Sequence, residues 1–546
     1  MSRNLILSAK MSVVRPFRIF LSAMVVLFAI VTGASPAVLS ATSITADFTQ
    51  LNASQIVFEM GAGWNLGNQL EASLSGTPNE TAWGNPAVTQ TLIQKVKAAG
   101  FKTIRIPVSY LNNIGSAPNY TINSAWLNRV KTVVDYAYNE GLYVIINMHG
   151  DGYNSVPGSW SLVNSSDQTT IRAKYQKVWQ QIANTFVNYD EHLIFESMNE
   201  EFDGTYGTPN PAYYSNLNAY NQIFVDTVRQ TGGNNSARWL LIPGWNTNID
   251  YTVGNYGFAL PTDNYRSSTI PSSEKRIMIS VHYYSPWDFC GEESGTITQW
   301  GATAANPSKK SSWGQEDYLD SQLKSTYDKF VTQGYPVVVG EFGSIDKTAF
   351  DSTNNTYRAA FAKAVVSTAK KYGSVPVYWD NGVNGQYGFG LFDRSTYAVT
   401  QPGIINAIMG AMNTYKMKNV TTGMFIDGMG RTADGSNAGQ WSSSSSTNQQ
   451  WVMEFYGSYY KIKNAATGLY LDGMYRTTAG SICAQWSSST SWNQQWVLEP
   501  YGGNYRIKNS STGLYLDGGG STTNGSDLKQ WSSDPGTNLQ WQFVNP

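Results

Sequence analysis

The chain has little charge of either sign: only 14% of its 546 residues are charged, and the formal net charge is -1. This balance leaves no basic surface for DNA, RNA or an anionic membrane, which argues against those partners. Aromatic residues are abundant at 13%, including 18 Trp and 34 Tyr. Flat rings among Asn, Gln and Ser suit a neutral polyol ligand, although a large Tyr-rich core also explains the composition.

Cysteine is scarce as well, with only Cys290 and Cys483 in the whole sequence. Their wide separation argues against a structural bridge, so two inert thiols are predicted. An exported chain with so few cysteines depends on packing rather than on disulfides for its stability. The chain is too long for one compact core, so we expect two folded units and a targeting segment.

Long hydrophobic runs are missing except near the N-terminus, where residues 19–31 are predominantly apolar. Arg15 and Arg18 precede this run and small residues follow it, which is the order of a secretory signal. We therefore predict a signal peptide over residues 1–41 and a secreted, extracellular protein. The run is shorter than the roughly 20 residues of a spanning helix, so a retained anchor is the alternative, and Met11 is a second possible start.

Short apolar runs rich in Val and Ile alternate with amphipathic segments from about residue 60 to 410. The runs are continuously apolar, which is typical of parallel strands covered on both faces. Eight strand–helix units predict an α/β fold, a (β/α)8 TIM barrel over residues 45–412. Between Trp245 and Arg276 no helical pattern is clear, and a long loop is predicted there. The runs are residues 62–68, 102–108, 143–149, 192–199, 239–245, 276–284, 336–342 and 375–381.

Three copies of one 45-residue unit follow, and the second copy begins YKIKNAATGLYLDG. Asp427, Asp472 and Asp517 are spaced by that period. A fixed period indicates one supersecondary unit that has been copied. A propeller blade has a similar length, but three copies close a β-trefoil and do not close a propeller. We therefore predict an all-β trefoil over residues 413–546, close to the barrel because no Pro- or Ser-rich tether intervenes.

Polar and aromatic residues stand where the predicted barrel strands end, which is the catalytic end of such barrels. Two carboxylates at one mouth, without a phosphate-binding glycine loop, favour glycoside hydrolysis, in which one protonates the leaving oxygen and the other meets the oxocarbenium centre. A metal site at His149, Asp151 and His282 is the alternative, but their spacing lacks a tight ligand motif. His192 precedes its strand and is interpreted as structural. The strand ends supply Arg105, His149, Asn199, Glu200, His282, Tyr284, Glu341 and Trp379.

Seven motifs follow one another in this region: GWNLGNQLEAS, IRIPVSY, INMHGDG, FESMNE, SVHYYSPW, VVVGEFG and VYWDNG. In this order and spacing they resemble glycoside hydrolase family 5, the retaining endoglucanase or cellulase family, over roughly residues 55–410. The resemblance implies Glu200 as general acid/base and Glu341 as nucleophile. It further implies substrate-binding or positioning roles for Arg105, His149, Asn199, His282, Tyr284 and Trp379.

These implied roles carry expectations about geometry and ionisation. We expect a pKa for Glu200 that is raised by a neighbouring carboxylate and partial burial, and a Glu341 kept ionised by Arg105. A carboxyl separation of about 5–5.5 Å would give retention of configuration. Two residues depart from the family pattern: Glu201 replaces the proline of many relatives, and Gly150 replaces a second histidine. Strand alternation should turn Glu201 away from the cleft, and Gly150 leaves the finer substrate assignment open.

The repeats resemble the ricin-type β-trefoil lectin, or family 13 carbohydrate-binding module, over residues 415–546. The resemblance implies a shallow sugar site in each lobe, where a carboxylate accepts hydroxyl hydrogen bonds and an indole covers the sugar ring. The alternative is that each Asp only caps a turn. Trp451, Trp496 and Trp541 are expected in the core, and Leu539 replaces a glutamine and weakens the third lobe. The implied sugar contacts are Asp427, Gln440, Trp441, Asn448, Asp472, Gln485, Trp486, Asn493, Asp517, Gln530, Trp531 and Asn538.

The combined prediction is a secreted endo-β-1,4-glucanase that cleaves inside β-glucan, cellulose or related plant cell-wall glycans and has a sugar-binding trefoil. No cofactor, metal or nucleic-acid partner is expected, nor a membrane association after signal removal, and we expect a monomer. Xylanase, mannanase or xyloglucanase activity on the same fold remains open. A non-catalytic lectin or adhesin is the alternative from another class, but such a barrel should have lost one carboxylate, and both are present.

Overall fold

The computed structural model describes residues 48, 50–456 and 459–546, so the predicted signal peptide lies outside the described residues. In the described part of the chain, no helix is both long and apolar enough to cross a bilayer. All eight predicted strands form, and they close into a parallel barrel in chain order, which confirms the (β/α)8 prediction. The strands are β1 (Gly63–Asn65), β2 (Thr103–Ile106), β3 (Tyr143–Ile146), β4 (Leu193–Glu196), β5 (Leu240–Pro243), β6 (Ile277–Tyr283), β7 (Val337–Phe342) and β8 (Ser374–Tyr378).

Every residue of these eight strands is buried, which explains their continuously apolar sequences. The pairing of β6 with β7 contains one irregularity, between Val281 and His282. Beyond it, His282 lies opposite Glu341. A local bulge of this kind re-aims side chains, and here it brings a ring and a carboxylate together at the C-terminal end of the barrel.

The helices mostly begin where the sequence offers a capping side chain. Asn123, Asp167 and Asn210 each accept a hydrogen bond from a backbone N–H of the following first turn. The stretch predicted as a long loop, between Trp245 and Arg276, contains only one five-residue helix after its first turn. The α-helices are α1 (Ala53–Met60), α2 (Gln90–Ala98), α3 (Ser124–Tyr138), α4 (Gln168–Thr185), α5 (Pro211–Gln230), α6 (Ile249–Val253), α7 (Trp287–Cys290), α8 (Glu316–Lys329), α9 (Asn354–Lys371) and α10 (Pro402–Met412).

Smaller elements complete the barrel and the lobes. A short hairpin pairs Ser73–Leu74 with Thr77–Pro78. Both cysteines are buried and free, as predicted. The 3-10 turns are Leu111–Asn113, Gly233–Ser236, Trp245–Thr247, Pro307–Lys309, Val331–Gln333, Thr447–Gln449, Trp492–Gln494 and Thr537–Leu539.

The C-terminal region is an all-β trefoil with a first lobe (residues 414–456), a middle lobe (459–501) and a third lobe (504–544). Trp451, Trp496 and Trp541 are fully buried at its centre, as predicted, and each indole donates to a backbone carbonyl of its own lobe. The strands are β9 (Thr414–Asn419), β10 (Phe425–Asp427), β11 (Ser436–Asn437), β12 (Gly439–Trp441), β13 (Trp451–Tyr456), β14 (Tyr459–Asn464), β15 (Tyr470–Asp472), β16 (Ala484–Trp486), β17 (Trp496–Tyr501), β18 (Asn504–Asn509), β19 (Tyr515–Asp517), β20 (Ser526–Asp527), β21 (Lys529–Trp531) and β22 (Trp541–Val544).

Helix α1 joins the two domains. It closes the N-terminal end of the barrel, where Thr103 donates to the Met60 carbonyl at 2.6 Å. Its outer face presents Phe58, whose ring centroid lies 5.3 Å from that of Tyr415 and 4.8 Å from that of Tyr505. These tyrosines occupy equivalent positions in the first and third lobes. The trefoil therefore covers the end of the barrel opposite to the catalytic end.

Candidate active site

Arg105 is the centre of the polar network at the C-terminal end of the barrel. Its Nε donates to Glu196 Oε2 at 2.7 Å and its Nη1 to Glu341 Oε1 at 2.8 Å. Nη1 also donates to Asn65, and Nη2 to Asn199 at 2.7 Å. Burial by itself lowers the pKa of Arg105, but the two glutamates outweigh burial and raise it. The guanidinium is therefore a fixed positive charge that holds one carboxylate of the cleft.

Glu341 is held at both oxygens. Arg105 binds Oε1, and the Tyr284 hydroxyl donates to Oε2 at 3.0 Å. Only 7% of the Glu341 side chain is exposed. Burial raises the pKa of Tyr284 far above its usual value, and the nearby glutamates raise it further, so the hydroxyl keeps its proton and donates. These contacts leave the carboxylate little freedom to rotate, as a nucleophile requires.

Glu200 faces Glu341 from the segment that follows β4, and its side chain is 29% exposed. His282 Nδ1 lies 2.7 Å from its Oε1, and the Tyr153 hydroxyl donates to its Oε2 at 3.1 Å. The same Nδ1 lies 3.7 Å from Glu341 Oε2. One oxygen of each glutamate and a ring nitrogen of His282 all lie within 4.8 Å of one another. The two carboxylates thus face each other across a gap in which a glycosidic bond fits between them.

The pKa shifts of the two glutamates are the reverse of those expected from the sequence. Burial raises the pKa of Glu341 and outweighs the lowering by His282 and Arg105. Burial also acts to raise the pKa of Glu200, but hydrogen bonds from His282 and Tyr153 outweigh it and lower the pKa. The expectation gave Arg105 the decisive effect at Glu341 and considered neither the burial of Glu341 nor His282. Because the two carboxylates lie so close together, they titrate as a pair, and the proton belongs to the pair.

The other residues implied by the resemblance line the same mouth. The His149 ring lies 6.1 Å from the Trp379 ring and almost parallel to it, at 9°. Burial, then Arg105 and His282, lower the pKa of His149 well below its usual value, so the ring is neutral. Asn199 Nδ2 lies 3.3 Å from His149 Nε2. Together with Arg105, Tyr284 and the two glutamates, these residues form one cleft, and Trp379 keeps part of its ring exposed.

Sequence reasoning missed Glu196, the first glutamate of the FESMNE motif. It is fully buried, binds Arg105, and accepts from the Ser280 hydroxyl at 2.7 Å and from Asn147 Nδ2 at 3.1 Å. Tyr153, which reaches both Glu200 and Asn199, was missed as well. The sequence does indicate a special role for Glu196, because it is a charged residue inside an otherwise apolar strand. A charge that is buried in such a strand needs a partner.

The two departures from the family pattern have local structural causes. Glu201 points away from the cleft, where its Oε1 accepts from Ser161 at 3.4 Å. Burial, then Asp151, raise the pKa of Glu201 far above its usual value, so this carboxyl is neutral. Gly150 donates its N–H to Ser109 Oγ, and a Cβ there would lie 2.7 Å from that oxygen. A histidine at this position would therefore require Ser109 to move.

Asp151 does not form the metal site considered from the sequence. Its Oδ1 accepts from the Leu111 N–H and the Trp160 indole, both at 2.7 Å, and its Oδ2 from the Tyr110 N–H at 3.0 Å. These three donors bind both oxygens of the carboxylate. Asp151 therefore organises the loops behind the cleft, and His149 and His282 bind other partners.

The trefoil residues implied by the resemblance divide into two groups. The three tryptophans are on the surface with 38–40% of each residue exposed, and the aspartates are nearly buried, each with one oxygen that caps its turn. The glutamines lie inside, where each donates to a backbone carbonyl of a neighbouring lobe, so they join lobes and have no surface for a sugar. The tryptophans are Trp441, Trp486 and Trp531, the aspartates Asp427, Asp472 and Asp517, and the glutamines Gln440, Gln485 and Gln530.

The lobe asparagines stand beside the aspartates at the turns. Asn448 Oδ1 accepts from the Gly430 N–H, and Asn493 Oδ1 accepts from the Tyr475 N–H, both at 3.1 Å. Asn538 Oδ1 is buried and forms no hydrogen bond to the described part of the chain. The third lobe thus differs at its asparagine as well as at Leu539.

A closed (β/α)8 barrel with two facing carboxylates at its C-terminal end, one of them clamped by arginine, defines a glycoside hydrolase. The chain belongs to glycosyl hydrolase family 5: residues 67–385 match the family described as Cellulase (glycosyl hydrolase family 5). Residues 407–486, 454–531 and 492–545 match the family described as Ricin-type beta-trefoil lectin domain-like. The enzyme is therefore an endoglucanase-type hydrolase with a lectin-like trefoil.

Related proteins agree with this assignment. Endoglucanase A from Paenibacillus barcinonensis is 76% identical over 367 residues, which cover 67% of this chain and 92% of the relative. A solved structure of a family 5 xyloglucanase from Paenibacillus pabuli in complex with ligand is 80% identical, with a TM-score of 0.65 over 66% of this chain and 100% of that one. A GH5-4 broad specificity endoglucanase from Bacteroides salanitronis is 37% identical, with a TM-score of 0.61 over 69% and 99% of the two chains.

Proposed function

We propose that the protein is a secreted endo-β-1,4-glucanase that retains anomeric configuration, with Glu341 as nucleophile and Glu200 as general acid/base. The observation that carries the proposal is the approach of the two carboxylates: one oxygen of Glu200 and one oxygen of Glu341 lie within 4.8 Å of each other. Retaining enzymes hold these groups about 5–5.5 Å apart, whereas inverting enzymes leave room for a water at about 6.5–9.5 Å. Secretion rests on the N-terminal sequence.

In the first step, a Glu341 oxygen attacks the anomeric carbon while the glycosidic C–O bond breaks. The carboxyl pair holds one proton, and Glu200 passes it to the leaving oxygen, which departs as a sugar hydroxyl. Arg105 and Tyr284 hold the attacking carboxylate, so little reorganisation is needed at the moment of attack. The greater exposure of Glu200 suits the group that must reach a leaving oxygen and later a water.

In the second step, Glu200 takes a proton from a water molecule, whose oxygen attacks the anomeric carbon and releases Glu341. The glycosyl-enzyme bond has removed the charge of Glu341 by then. His282 Nδ1 lies 2.7 Å from Glu200 and 3.7 Å from Glu341, so an N–H at Nδ1 is within hydrogen-bond distance of Glu200 and close to Glu341. His282 is therefore assigned as a positioning residue between them.

Xyloglucan is a second candidate substrate, next to unbranched β-1,4-glucans. It is favoured by the 80% identity to the solved structure of the family 5 xyloglucanase from Paenibacillus pabuli. A relative at 35% identity over 378 residues is likewise named a xyloglucan-specific endo-beta-1,4-glucanase from Bacteroides ovatus. Both substrates have the same β-1,4-glucan backbone, so the two-carboxylate mechanism applies to either. The trefoil, placed behind the barrel, would hold the enzyme on the polymer without entering the cleft.

The test is hydrolysis of carboxymethylcellulose, mixed-linkage β-glucan, xyloglucan, xylan and mannan by the mature enzyme and three variants. Glu341→Gln should abolish activity, and Glu200→Gln should lower it by about 10²–10⁴-fold. Glu200→Gln should still release an aryl leaving group that needs no proton. Glu201→Gln is the matched control, because that neighbouring carboxyl is neutral and faces away. Full activity in Glu341→Gln, or an inverted first product by NMR, would refute the mechanism; dominant xylan or mannan cleavage would refute the substrate.

A further inference from the structure

The middle lobe of the trefoil has a tyrosine where the other two lobes have glycine. Tyr475 is equivalent to Gly430 and Gly520. All three have a left-handed backbone, with φ of 54° at Tyr475, 64° at Gly430 and 66° at Gly520. Glycine adopts this conformation freely, whereas a residue with a Cβ is strained in it. Met429 and Met474, at the preceding position of the same turns, also have a left-handed backbone, so the turn imposes the conformation and the feature peculiar to the middle lobe is the tyrosine side chain.

The Tyr475 ring is held in place, but its faces are not covered. Its backbone N–H donates to Asn493 Oδ1 at 3.1 Å, and its hydroxyl lies 3.2 Å from Ser491 Oγ. The residue is nevertheless 70% exposed. A ring that is tethered at its hydroxyl and open on its faces is prepared for stacking with little loss of side-chain entropy.

A second aromatic residue distinguishes the same lobe. Trp492 stands where the first and third lobes have Thr447 and Thr537, and it is 60% exposed. It immediately precedes Asn493, the residue that accepts from Tyr475. The Tyr459 ring lies 6.4 Å from the Trp492 ring, at 45°. At these two positions the middle lobe therefore adds two exposed rings to the one exposed tryptophan that every lobe has.

Polar groups lie beside these rings. Trp486 packs against Gly435 of the first lobe, where a Cβ would approach its ring to 3.3 Å. Asp434 from that lobe accepts from the Ser487 N–H at 2.6 Å. Asp472, the carboxylate of the middle lobe itself, lies at the turn that carries Tyr475, and its Oδ1 accepts from the Met474 N–H at 2.8 Å. Carboxyl oxygens next to exposed flat rings are the groups that recognise sugar hydroxyls and sugar faces.

We infer that the middle lobe is the dominant glycan site of the trefoil, and that Tyr475 and Trp492 act with Trp486 to bind consecutive sugars of a β-1,4-glucan chain. The inference rests on the proposed sugar binding of the trefoil. An extended chain of equatorially linked sugars offers flat apolar faces one after another, which is what several rings in one lobe can use. The first and third lobes, with one exposed tryptophan each, would bind single sugars weakly.

The experiment uses the full chain in a Glu341→Gln background, so that the ligand is not consumed and the barrel contributes equally in every variant. Affinity electrophoresis in xyloglucan and in hydroxyethylcellulose measures binding. Tyr475→Gly with Trp492→Thr converts the middle lobe to the residues of the other two, and we expect about tenfold weaker binding. The matched control, Trp441→Ala with Trp531→Ala, should weaken binding by no more than about twofold.

Folding and catalysis are monitored in parallel. Because glycine relieves the strained backbone, Tyr475→Gly should not lower the melting temperature. In the active background, hydrolysis of a short soluble cello-oligosaccharide should be unchanged. If the middle-lobe variant binds as tightly as its parent while the control loses binding, the inference is wrong but trefoil sugar binding stands. If Trp441→Ala, Trp486→Ala and Trp531→Ala combined leave binding unchanged, the trefoil is not a glycan-binding domain at all.

Discussion

Arg105 Nε lies 2.7 Å from Glu196 Oε2, and neither side chain is exposed. The same guanidinium reaches Glu341, so the two glutamates bind one cation from different sides. A cation held by a second, buried carboxylate has a fixed position. The orientation of Glu341, the proposed nucleophile, therefore depends on a residue that does not line the cleft.

Replacement of Glu196 by glutamine tests this dependence. We expect kcat to fall by about 10–100-fold with little change in KM, because Arg105 loses one anchor and Glu341 its fixed position. Breaking a buried ion pair should also cost about 3 kcal/mol of unfolding free energy. Steady-state kinetics on a soluble oligosaccharide and urea unfolding measure the two effects.

Asp263→Asn is the control for Glu196→Gln, since it removes a comparable partner from buried Arg229, whose Nε lies 2.8 Å from Asp263. It should lower stability without changing kcat. A similar loss of kcat in both variants would mean that general destabilisation, and not the position of Glu341, explains the result.

The pH dependence of activity should respond to His282. This residue lowers the pKa of Glu341 and of Glu200, so its removal should raise both. If Glu341 is the nucleophile, as proposed, it acts only when ionised, so activity is lost as the pH falls through the pKa of the pair. In His282→Asn, the acid limb of kcat/KM should therefore move to higher pH. An acid limb that stays in place or moves to lower pH would contradict the assigned role.

Much of the fold followed from local pattern, and the site followed from position at strand ends. The eight strands and the two glutamates that face each other in the cleft could be located because buried parallel strands are continuously apolar and their C-terminal ends meet. The reversed pKa shifts could not be predicted, since they depend on the distance of His282 from Glu200, which a register irregularity at Val281 sets. The burial of the lobe glutamines could not be predicted either, because the backbone carbonyls that they bind lie in another repeat.

The contact between barrel and trefoil should make the two domains unfold together. Phe58 packs against Tyr415, Tyr505 and, at 4.9 Å, Phe543, and Lys102 Nζ donates to the Tyr460 hydroxyl at 2.7 Å. Phe58→Ala should cost about 2 kcal/mol, less than a fully buried phenylalanine would. Calorimetry should then resolve one transition into two, while oligosaccharide hydrolysis stays unchanged. A single transition at the original temperature would show that Phe58 does not couple the domains.

Lys370 should make the stability of this junction depend on pH. Its Nζ donates to the Met412 carbonyl at 2.8 Å and to that of Thr414, and lies over the Tyr415 ring. Burial lowers the pKa of Lys370 from 10.5 to about 6. Above about pH 6 the unfolded chain binds more protons at Lys370 than the folded protein does. The contribution of Lys370 to stability therefore increases as the pH rises toward 10.5.

The variant Lys370→Met lacks the titrating group and isolates that contribution. The melting temperature of the wild type relative to that of Lys370→Met should rise between pH 6 and pH 9. This range lies within the interval of about pH 6 to 10 in which the folded protein has lost the Lys370 proton and the unfolded chain still keeps it. Thermal scans of both proteins in matched buffers measure the difference. A constant difference, or one that shrinks as the pH rises, would mean that Lys370 stays charged in the folded protein.

Gly152 and Glu201 should behave as one unit in a double-mutant cycle. A Cβ on Gly152 would lie 1.5 Å from Glu201 Oε2, so Gly152→Ala must displace that carboxyl, which is adjacent in sequence to the acid/base. We expect a loss of about 3 kcal/mol and a lower kcat. Glu201→Ala removes the obstructing atoms, so adding Gly152→Ala to it should cost much less, with a coupling of about 2 kcal/mol. Urea unfolding of the four proteins measures the coupling, and additive losses would refute the predicted clash.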